Sequence, residues 1–307
     1  MSSERRRRGA AAGLGIVADR LFGEPAVQPH PVAAFGWAMG QLERQMYEDD
    51  RRQGVYYLGA GLGISLIAGG VVGSTTGATY LAVAGRALAD EARAIGALLV
   101  AGDLQGARGA LPALVGRDPA GLGSDEVARA VVESVAENAV DAVVAPALWG
   151  ALAGARGALG HRAVNTLDSM VGHHSARYEH FGWASARADD VAAWAPARAT
   201  ALLVALVRPS AAASVLQVVR RDAPAHPSPS AGVAEAAFAA ALGVRLGGPS
   251  RYGDRVEDRP ALGDGEPPVA ADIERACRLL EDLSLVLAAL LVAPLALHAV
   301  ARIVGRR

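Results

Sequence analysis

The sequence predicts an all-α protein, a multi-pass integral membrane helical bundle with cytoplasmic helical and loop segments. Its 307 residues are 52% hydrophobic and only 20% charged, whereas an ordinary soluble domain carries about 25% charged residues. The 33 residues between Arg52 and Arg86 contain no charge, and a membrane-spanning helix needs about 20 such residues. A second uncharged run, of 19 residues, extends from Leu283 to Ala301.

Five segments are candidate spans within one membrane domain over residues 1–307. The two strongest contain the uncharged runs and cover residues 54–74 and 283–303. The other three are weaker. Residues 9–22 follow a run of arginines, residues 142–155 are short for a span, and residues 196–219 contain Arg208. For these weaker segments, a buried helix of a soluble alanine-rich protein is the alternative. The number of spans stays open between four and five.

Polar segments separate the candidate spans, at residues 102–141, 156–195 and 222–268. Prolines and glycines predict loops at 222–232 and 247–268. Arginines at 5–8 and at 306–307 predict that both ends of the chain are cytoplasmic. The N-terminal segment is not interpreted as a signal peptide, because Asp19 and Arg20 follow its apolar part directly.

The composition excludes several classes of site. A formal net charge of −1 provides no global attraction for nucleic acid. The single cysteine, Cys277, excludes an intrachain disulfide framework and a multi-cysteine zinc site. All 30 basic residues are arginines, so a Walker-type phosphate loop and a Schiff-base lysine are excluded. An anionic substrate must therefore be held by arginines, backbone N–H groups or a metal ion.

The helix predicted to begin near Ser124 carries three carboxylates at intervals of four residues: Glu133, Glu137 and Asp141. This spacing places them on one helical face, where like charges repel unless arginines or a divalent cation compensate. Hard oxygen ligands suit Mg²⁺, and Asn138 lies beside them. For Glu133 alone, a solvent-exposed position with an ordinary pair to Arg129 is the preferred interpretation.

Two further segments combine arginines with carboxylates. Arg162, Asn165, Asp168 and Ser169 share one stripe of a predicted helix, which either forms a structural pair or faces a substrate. Arg187 is followed by Asp189 and Asp190, which diverge on a helix, so one of them could instead be a helix N-cap. The nearby histidines are interpreted as loop residues rather than zinc ligands, and they are His173, His174 and His180.

Two Gly- and Pro-rich loops have the composition of anion-binding sites. Residues 226–232 contain His226, Ser228 and Ser230, and residues 247–254 contain Arg251 and Tyr252. Glycine permits close approach of the backbone to a phosphate, and hydroxyl and guanidinium groups add donors. Ordinary turns are the alternative for both loops.

Several motifs together resemble the CobD/CbiB family of adenosylcobinamide-phosphate synthases in cobalamin biosynthesis. They occur in order along nearly the whole chain, at 19–32, 128–146, 161–172, 177–190, 196–198, 226–230 and 243–253. These motifs include Glu-Asn-Ala-Val-Asp at 137–141, Asn-Thr-Leu-Asp-Ser-Met at 165–170 and His-Pro-Ser-Pro at 226–229. The chain departs from the family pattern at Glu24, where Asp is common, and at Ser230 and Ser250, where Asn is common. Its first apolar segment is also shorter than is usual in the family.

The resemblance implies an ATP- and Mg²⁺-dependent ligase that joins adenosylcobyric acid to (R)-1-aminopropan-2-ol or its O-phosphate through an acyl phosphate. Mg²⁺ ligands would be Glu137, Asn138, Asp141 and Asp168. Catalytic groups would be Asp189, Asp190, His30, His226 and Arg162. Substrate and phosphate would contact Arg187, Arg251, Asn165, Ser169, Ser228 and Tyr252. The residues that bind the nucleotide base are not predicted.

Two alternatives from other classes remain. A membrane transport protein would use buried carboxylates as an ion or substrate path, which predicts charges in the middle of long spans. A soluble helical scaffold would remain in solution without detergent. The apolar runs lead us to expect the lipid bilayer as a partner. The resemblance implies an inner-membrane enzyme with its active-site loops on the cytoplasmic side, as a homo-oligomer or in a complex with other late cobalamin-pathway membrane enzymes.

Overall fold

The computed structural model describes residues 2–25, 27–116, 118–173, 175–252 and 255–304, without the side chains of 249–258, 300 and 302–304. The predicted all-α class is confirmed, because this part of the chain is mostly helical. Where one domain was predicted, the chain forms two compact units. Unit 1 comprises Met1–Ala84, Asp141–Pro196 and Leu287–Arg307, and unit 2 comprises Gly85–Val140 and Ala197–Val286.

The described residues form a series of α-helices and one β-hairpin. The helices are α1 (Ser3–Phe22), α2 (Pro31–Met46), α3 (Arg51–Val72), α4 (Thr75–Ala82), α5 (Gly85–Val100), α6 (Leu104–Ala110), α7 (Ser124–Ala139), α8 (Ala145–Leu167), α9 (Trp183–Val207), α10 (Ala212–Asp222), α11 (Ala231–Leu242) and α12 (Ala270–Val304). The strands are β1 (Leu246–Tyr252) and β2 (Arg255–Leu262). Two π-helical turns, Val140–Val144 and Asp168–Gly172, lie on either side of α8.

Four helical stretches of the described chain are long and apolar enough to cross a membrane: Arg51–Val72, Ser124–Gly172, Trp183–Val207 and Ala270–Ala299. They identify a multi-pass membrane protein, and the predicted spans 54–74 and 283–303 lie on α3 and α12. α1 covers the predicted span 9–22 but is not one of these four, since its first two turns carry the arginines at 5–8.

The bounds predicted for the span 196–219 are wrong. α9 begins earlier, at Trp183, and ends at Val207. Arg208 leaves the helical conformation with φ −127° and ψ 68°, because the residue before a proline, here Pro209, is disfavoured in an α-helix. The chain then continues into α10, a separate helix of 11 residues.

α3 has the inside-out polarity of a membrane helix. Its buried residues are small or polar apart from one tyrosine: Gly54, Tyr57, Gly61, Ser65 and Gly69. Its opposite face exposes large apolar side chains, including Ile67 at 71% and Val71 at 83%. Small residues let membrane helices approach closely, while lipid covers the apolar side chains. A soluble helix would have the reverse arrangement.

α8 is folded back on itself within unit 1. Gly154 interrupts it with φ 69° and ψ −151°, a left-handed φ that favours glycine. A methyl group on Gly157 would lie 2.1 Å from the carbonyl oxygen of Trp149, although eight residues of straight helix would separate them by about 12 Å. The apolar stretch 124–172 is therefore not one straight span, because residues 141–168 form a helical hairpin with its tip at Gly154.

Unit 2 contains α7 packed against α5 and α11, with α10 beside α11. The loop predicted over 247–268 is partly wrong, because β1 and β2 form an antiparallel hairpin there. Gly247 and Gly248 have φ 84° and 89°, which allows an irregularity in strand pairing between Leu246 and Gly248. A side chain at 247 would collide with the Pro260 carbonyl oxygen at 2.1 Å, so this position requires glycine.

Candidate functional site

In unit 1 the structure joins residues of two predicted site segments. The side-chain amide nitrogen of Asn165 donates a 3.0 Å hydrogen bond to Oδ2 of Asp141. The fold-back at Gly154 makes this contact possible, because 24 residues of straight helix would place the two residues about 36 Å apart. Asp141 and Asn165 thus lie together at the open end of the helical hairpin.

Arg162 lies on the same arm as Asn165 and interacts electrostatically with Asp141 and with Glu24. Its Nε atom is buried and has no hydrogen-bond partner in the described part of the chain. His161, which is 3% exposed, likewise has both ring nitrogens buried without a hydrogen bond among the described residues. This arrangement leaves a buried guanidinium donor next to two carboxylates.

Asp168 and Ser169 follow α8 in the second π-helical turn. The Ser169 hydroxyl donates to the backbone oxygen of Asn165 at 2.9 Å. Gly172 closely approaches the Asp168 carboxylate, since an added methyl group would lie 1.8 Å from its Oδ1. The predicted polar stripe is therefore split, with Arg162 and Asn165 on α-helix and Asp168 and Ser169 on the wider turn.

Asp189 and Asp190 lie inside α9 rather than at its start. The alternative that one of them caps this helix is wrong, because α9 begins six residues earlier at Trp183. Arg187 donates from Nη1 to Oδ2 of Asp190 at 3.3 Å, and the Arg187 side chain is 68% exposed. Asp189 and Asp190 are both partly buried, and Asp190 is the partner of Arg187.

Three other histidines of unit 1, His30, His173 and His180, have local partners. His30 precedes α2 and accepts the Val32 backbone N–H at Nδ1, at 3.4 Å. Nδ1 of His180 lies 3.0 Å from Asp49, and the His173 ring packs edge-on against Tyr178. His174 lies outside the described residues. Among those described, no group of three or more His, Cys, Asp and Glu residues could hold a metal ion.

The loop around Tyr178 is fastened to α2. The Tyr178 hydroxyl donates to Glu43 at 2.7 Å, and the Arg177 guanidinium donates to the same carboxylate and stacks 4.0 Å over the Tyr47 ring. Burial, followed by the Glu43 hydrogen bond, raises the pKa of Tyr178. These contacts position the segment that leads into α9 and its aspartates.

In unit 2, α7 holds the peptide of Gly247 from both sides. Its N–H donates to Oε1 of Glu133 at 2.9 Å, and its carbonyl accepts from Arg129 Nη1 at 2.6 Å. Arg129 Nε also lies 3.9 Å from the Glu133 carboxylate. The predicted Arg129–Glu133 pair is thus present. The predicted solvent exposure is wrong, because Glu133 is 2% exposed and accepts the hydrogen bond of the β-hairpin.

His226 lies in a second buried charged group of unit 2. Its Nε2 is 3.7 Å from Oε1 of Glu235, and Arg259 Nη1 is 3.9 Å from the same oxygen. Nδ1 of His226 is within hydrogen-bond distance of the backbone N–H and carbonyl of Ser228. The Ser228 hydroxyl in turn accepts the Ala231 N–H at the start of α11. His226 therefore shapes the loop in which Ser228 lies.

Sequence reasoning assigned no role to three of the charged residues found in these groups: Glu24, Glu235 and Arg259. Glu235 could have been predicted as a buried functional residue, because it is the only charged residue on the otherwise apolar α11. Glu24 stood within a family motif but received no role. Arg259 had no local signal, since its contact with Glu235 depends on the pairing of β2 with β1.

The predicted metal ligands are distributed over both units. Glu137 and Asn138 belong to unit 2, while Asp141 and Asp168 belong to unit 1. Glu137 is exposed, and the Asn138 amide nitrogen donates to the Ser134 carbonyl at 2.9 Å. α7 changes to π-helical geometry at Val140, and Asp141 is the second residue of that turn.

Arg251 and Tyr252 form the end of β1, where their backbones pair with Val256 and Arg255. Their side chains lie outside the described residues, as does that of Ser250. Their predicted contact with phosphate therefore remains a prediction.

These observations define a multi-pass helical membrane protein that places acidic groups beside guanidinium groups in each unit. The family model described as CobD/Cbib protein matches residues 12–280. The chain belongs to this family.

Two curated relatives extend the comparison over most of the chain. Cobalamin biosynthesis protein CobD of Mycobacterium tuberculosis is 46% identical over 295 residues, which cover 91% of this chain and 94% of the relative. The protein of the same name from Geobacter metallireducens is 44% identical over 284 residues, with 86% and 89% covered. Over 198 residues, the CobD protein of Rhodobacter capsulatus is 52% identical, covering 64% and 63%. No solved structure matches the chain.

Proposed function

We propose that this protein acts in cobalamin biosynthesis as an adenosylcobinamide-phosphate synthase, an ATP- and Mg²⁺-dependent ligase. It would join the carboxylate of adenosylcobyric acid to (R)-1-aminopropan-2-ol or its O-phosphate. The observation that carries this proposal is the family match over residues 12–280, which contains every predicted site residue. The names of the curated relatives support the pathway.

The reaction requires activation, because a carboxylate does not condense with an amine at neutral pH. Transfer of the terminal phosphoryl group of ATP to the carboxylate oxygen forms an acyl phosphate and releases ADP. The amine nitrogen then attacks the acyl carbon, the C–N bond forms and inorganic phosphate leaves. The ammonium proton must be removed before attack, and Asp189 and Asp190 are the proposed acceptors. His30 and His226 are less suited to this role, because each ring already contacts a backbone group.

The phosphate charge calls for guanidinium groups, since the chain contains no lysine. Arg187 is largely exposed and donates a hydrogen bond to Asp190. Arg251 and Tyr252 on β1 and Ser228 before α11 are the proposed contacts from unit 2. Bidentate hydrogen bonds from arginine to phosphate oxygens would stabilise the charge that develops during transfer.

The donor set fits Mg²⁺ that arrives with the nucleotide. Mg²⁺ is usually held by one or two carboxylates together with substrate phosphates and water, so the absence of a three-residue cluster among the described residues is no obstacle. Because the Asn138 amide nitrogen is engaged by Ser134, its oxygen is the atom left for a cation. Glu137, Asn138, Asp141 and Asp168 are the proposed ligands, and the ion would neutralise phosphate charge when bound.

The proposed location is the inner membrane, with the active-site loops on the cytoplasmic side where ATP is available. The four apolar helices support a membrane location. A homo-oligomer or a complex with other late-pathway enzymes remains a prediction.

The decisive experiment supplies purified protein with adenosylcobyric acid, ATP and Mg²⁺ together with each amine separately. Formation of adenosylcobinamide or its phosphate, dependent on ATP and Mg²⁺, is expected. Arg251→Ala should reduce the rate, with Arg220→Ala as a control on an exposed arginine. Absence of product from correctly inserted wild-type protein would contradict the proposed activity. An unchanged rate in Arg251→Ala would contradict the proposed phosphate contact of Arg251.

One observation favours a second function, membrane transport. Asp141 and Arg162 lie within the apolar stretch 124–172, as buried charges on a transport path would. Proteoliposomes containing the protein but no ATP distinguish the two functions. Uptake of labelled aminopropanol or of a corrinoid under these conditions would support transport, and its absence together with product formation would support the ligase.

A further inference from the structure

The second arm of α8 runs antiparallel to α3 in unit 1. A methyl group on Gly69 would lie 2.7 Å from Cα of Arg156, and one on Gly61 would lie 2.7 Å from Cδ1 of Leu167. The tip of the helical hairpin at Gly154 therefore lies beside the last turn of α3. With 22 residues, α3 is about 33 Å long, close to the ~30 Å thickness of the hydrocarbon core, so its last turn lies near the surface of a bilayer.

α1 begins at the same end of unit 1. Arg8 donates from Nη1 to the carbonyl of Leu152 at 3.3 Å, and a methyl group on Gly154 would lie 3.7 Å from the Nε atom of Arg8. Arg8 also pairs with Glu4. Arg5 is exposed and lies on the same side of α1 as Arg8, because residues three apart on a helix are neighbours. Two arginines of α1 are thus placed at the hairpin tip.

Arg156 lies where the lipid-facing side of α3 ends. Its guanidinium group lies over Gly70, since a methyl group there would be 3.2 Å from Nη2 and 3.5 Å from Nε. Ile67 and Val71, which share a helical face with Gly70, are 71% and 83% exposed. Arg156 is itself exposed. A guanidinium group at the end of such an apolar face reaches the level of the lipid headgroups, while the apolar side chains contact acyl chains.

The arginines at this end have few acidic neighbours in the sequence. Glu4 is the only acidic residue within 1–18, 51–89 and 142–167, the segments that supply most of α1, all of α3 and α4, and the hairpin arms. Glu4 already pairs with Arg8. The helix dipole disfavours arginines in the first turns of α1, so helix stability does not account for them. A basic cluster beside a membrane span attracts anionic phospholipids.

We infer that Arg5, Arg8 and Arg156 bind the headgroup phosphate of an anionic phospholipid, such as phosphatidylglycerol, at the hairpin tip. The guanidinium groups donate hydrogen bonds to phosphate oxygens, and an acyl chain lies along Ile67 and Val71 of α3. A lipid bound in this way links α1, the hairpin and α3. The inference goes beyond the proposed function and does not depend on it.

Binding is tested by native mass spectrometry of the full chain, released from detergent that contains phosphatidylglycerol and phosphatidylcholine with the same acyl chains. We expect wild-type protein to retain phosphatidylglycerol in preference. Arg156→Gln should lower the affinity for this lipid about fivefold, and Arg5→Gln combined with it about 25-fold, because each basic residue near the headgroups adds to the attraction. Arg156→Lys keeps the charge and should retain most of the preference.

Arg52→Gln is the matched control, since Arg52 is exposed at the other end of α3 and follows three acidic residues at 48–50. This variant should bind phosphatidylglycerol as wild type does. An unchanged affinity in Arg156→Gln, or an equal loss in Arg52→Gln, would overturn the site.

Inorganic phosphate and glycerol phosphate distinguish a lipid site from a site for soluble phosphates. At millimolar concentration neither should displace phosphatidylglycerol, because neither has an acyl chain to contact Ile67 and Val71. Displacement by either compound would refute the lipid assignment.

Thermal unfolding in detergent gives a second measurement. Phosphatidylglycerol should raise the melting temperature of wild-type protein more than phosphatidylcholine does, because it links three segments of unit 1. The difference should disappear in Arg156→Gln and persist in Arg156→Lys. Equal melting temperatures of wild-type protein in the two lipids would refute this link.

Discussion

The side-chain amide of Asn165 donates a 3.0 Å hydrogen bond to the carboxylate of Asp141 across the two arms of a helical hairpin. The contact fixes the orientation of Asp141, because one carboxylate oxygen is held while Arg162 interacts with the same group. A carboxylate, an amide and a guanidinium from one hairpin thus form a preorganised polar group inside unit 1. Preorganised charges of this kind stabilise charged substrates or transition states without reorganisation during the reaction.

Removing the charge of Asp141 should impair catalysis without unfolding the protein. Asp141→Asn keeps the shape of the side chain but removes the negative charge, so kcat/KM should fall about 100-fold, the usual effect of losing one electrostatic group. Ligation kinetics in detergent measure the effect. Asp125→Asn, at an exposed position in the first turn of α7, is the control. A wild-type rate in correctly inserted Asp141→Asn protein would remove Asp141 from the site.

Glu133 should matter for stability through its contact with Gly247. Glu133→Ala leaves the buried Gly247 N–H without its acceptor and Arg129 without its carboxylate, so unfolding should become easier by about 3 kcal/mol. Glu133→Gln retains an acceptor oxygen, and we expect a smaller loss of about 1 kcal/mol. Denaturant unfolding of detergent-solubilised protein gives both values. Equal losses for the two variants would show that the hydrogen bond to Gly247 contributes nothing.

The glycine face of α3 should tolerate no side chain at its closest contacts. A methyl group on Gly69 would lie 2.7 Å from Cα of Arg156, so Gly69→Ala should force the helices apart and cost about 2 kcal/mol. Gly59 has no atom within 4 Å of such a methyl group, so Gly59→Ala is the matched control, neutral or stabilising by up to about 1 kcal/mol. Thermal unfolding in detergent separates the two variants. Similar melting temperatures would argue against close packing of α3 on α8.

Asp222 should contribute to acid sensitivity. Hydrogen bonds from the Arg221 side chain, and then from the Gly263 backbone, lower the pKa of Asp222 below its ordinary value of 3.8, although burial opposes this. The pKa of Asp222 is therefore lower in the folded state than in the unfolded state. The ionised carboxylate stabilises the fold in full above about pH 3.8, and this stabilisation is lost as the pH falls through the folded-state pKa.

Asp222→Asn should therefore be less stable than wild type at pH 7 and should lose less stability between pH 7 and pH 3. Unfolding midpoints across this pH range measure the difference. Asp264→Asn, at a carboxylate that is 70% exposed, should follow the wild-type curve more closely. Parallel curves for wild type and Asp222→Asn would exclude this linkage.

Local patterns were enough to predict much of the fold. The apolar runs around 54–74 and 283–303 predicted α3 and α12, because a spanning helix needs only length and hydrophobicity. The helix from Ser124 was also predicted, and Gly123 lies at its N-cap. The hairpin of β1 and β2 was missed, because its strands contain two glycines and two prolines that indicate loops.

The candidate site was predicted less completely. Its residue types were found, since charges inside or beside apolar runs stand out in a sequence. The partners were not found: Glu133 was expected in a simple pair with Arg129, whereas it also binds the Gly247 N–H. Glu235 received no role, although it lies fully buried between His226 and Arg259.

The sequence by itself determined that the chain crosses a membrane and that it resembles the CobD/CbiB family, because hydrophobic runs and motifs are read from neighbouring residues. Only the tertiary structure decided that Asp141 meets Asn165 and that Arg162 lies level with the middle of α3. These contacts depend on the reversal at Gly154 and on glycine surfaces that let helices approach closely. Both are products of packing between segments far apart in the chain, which no local pattern encodes.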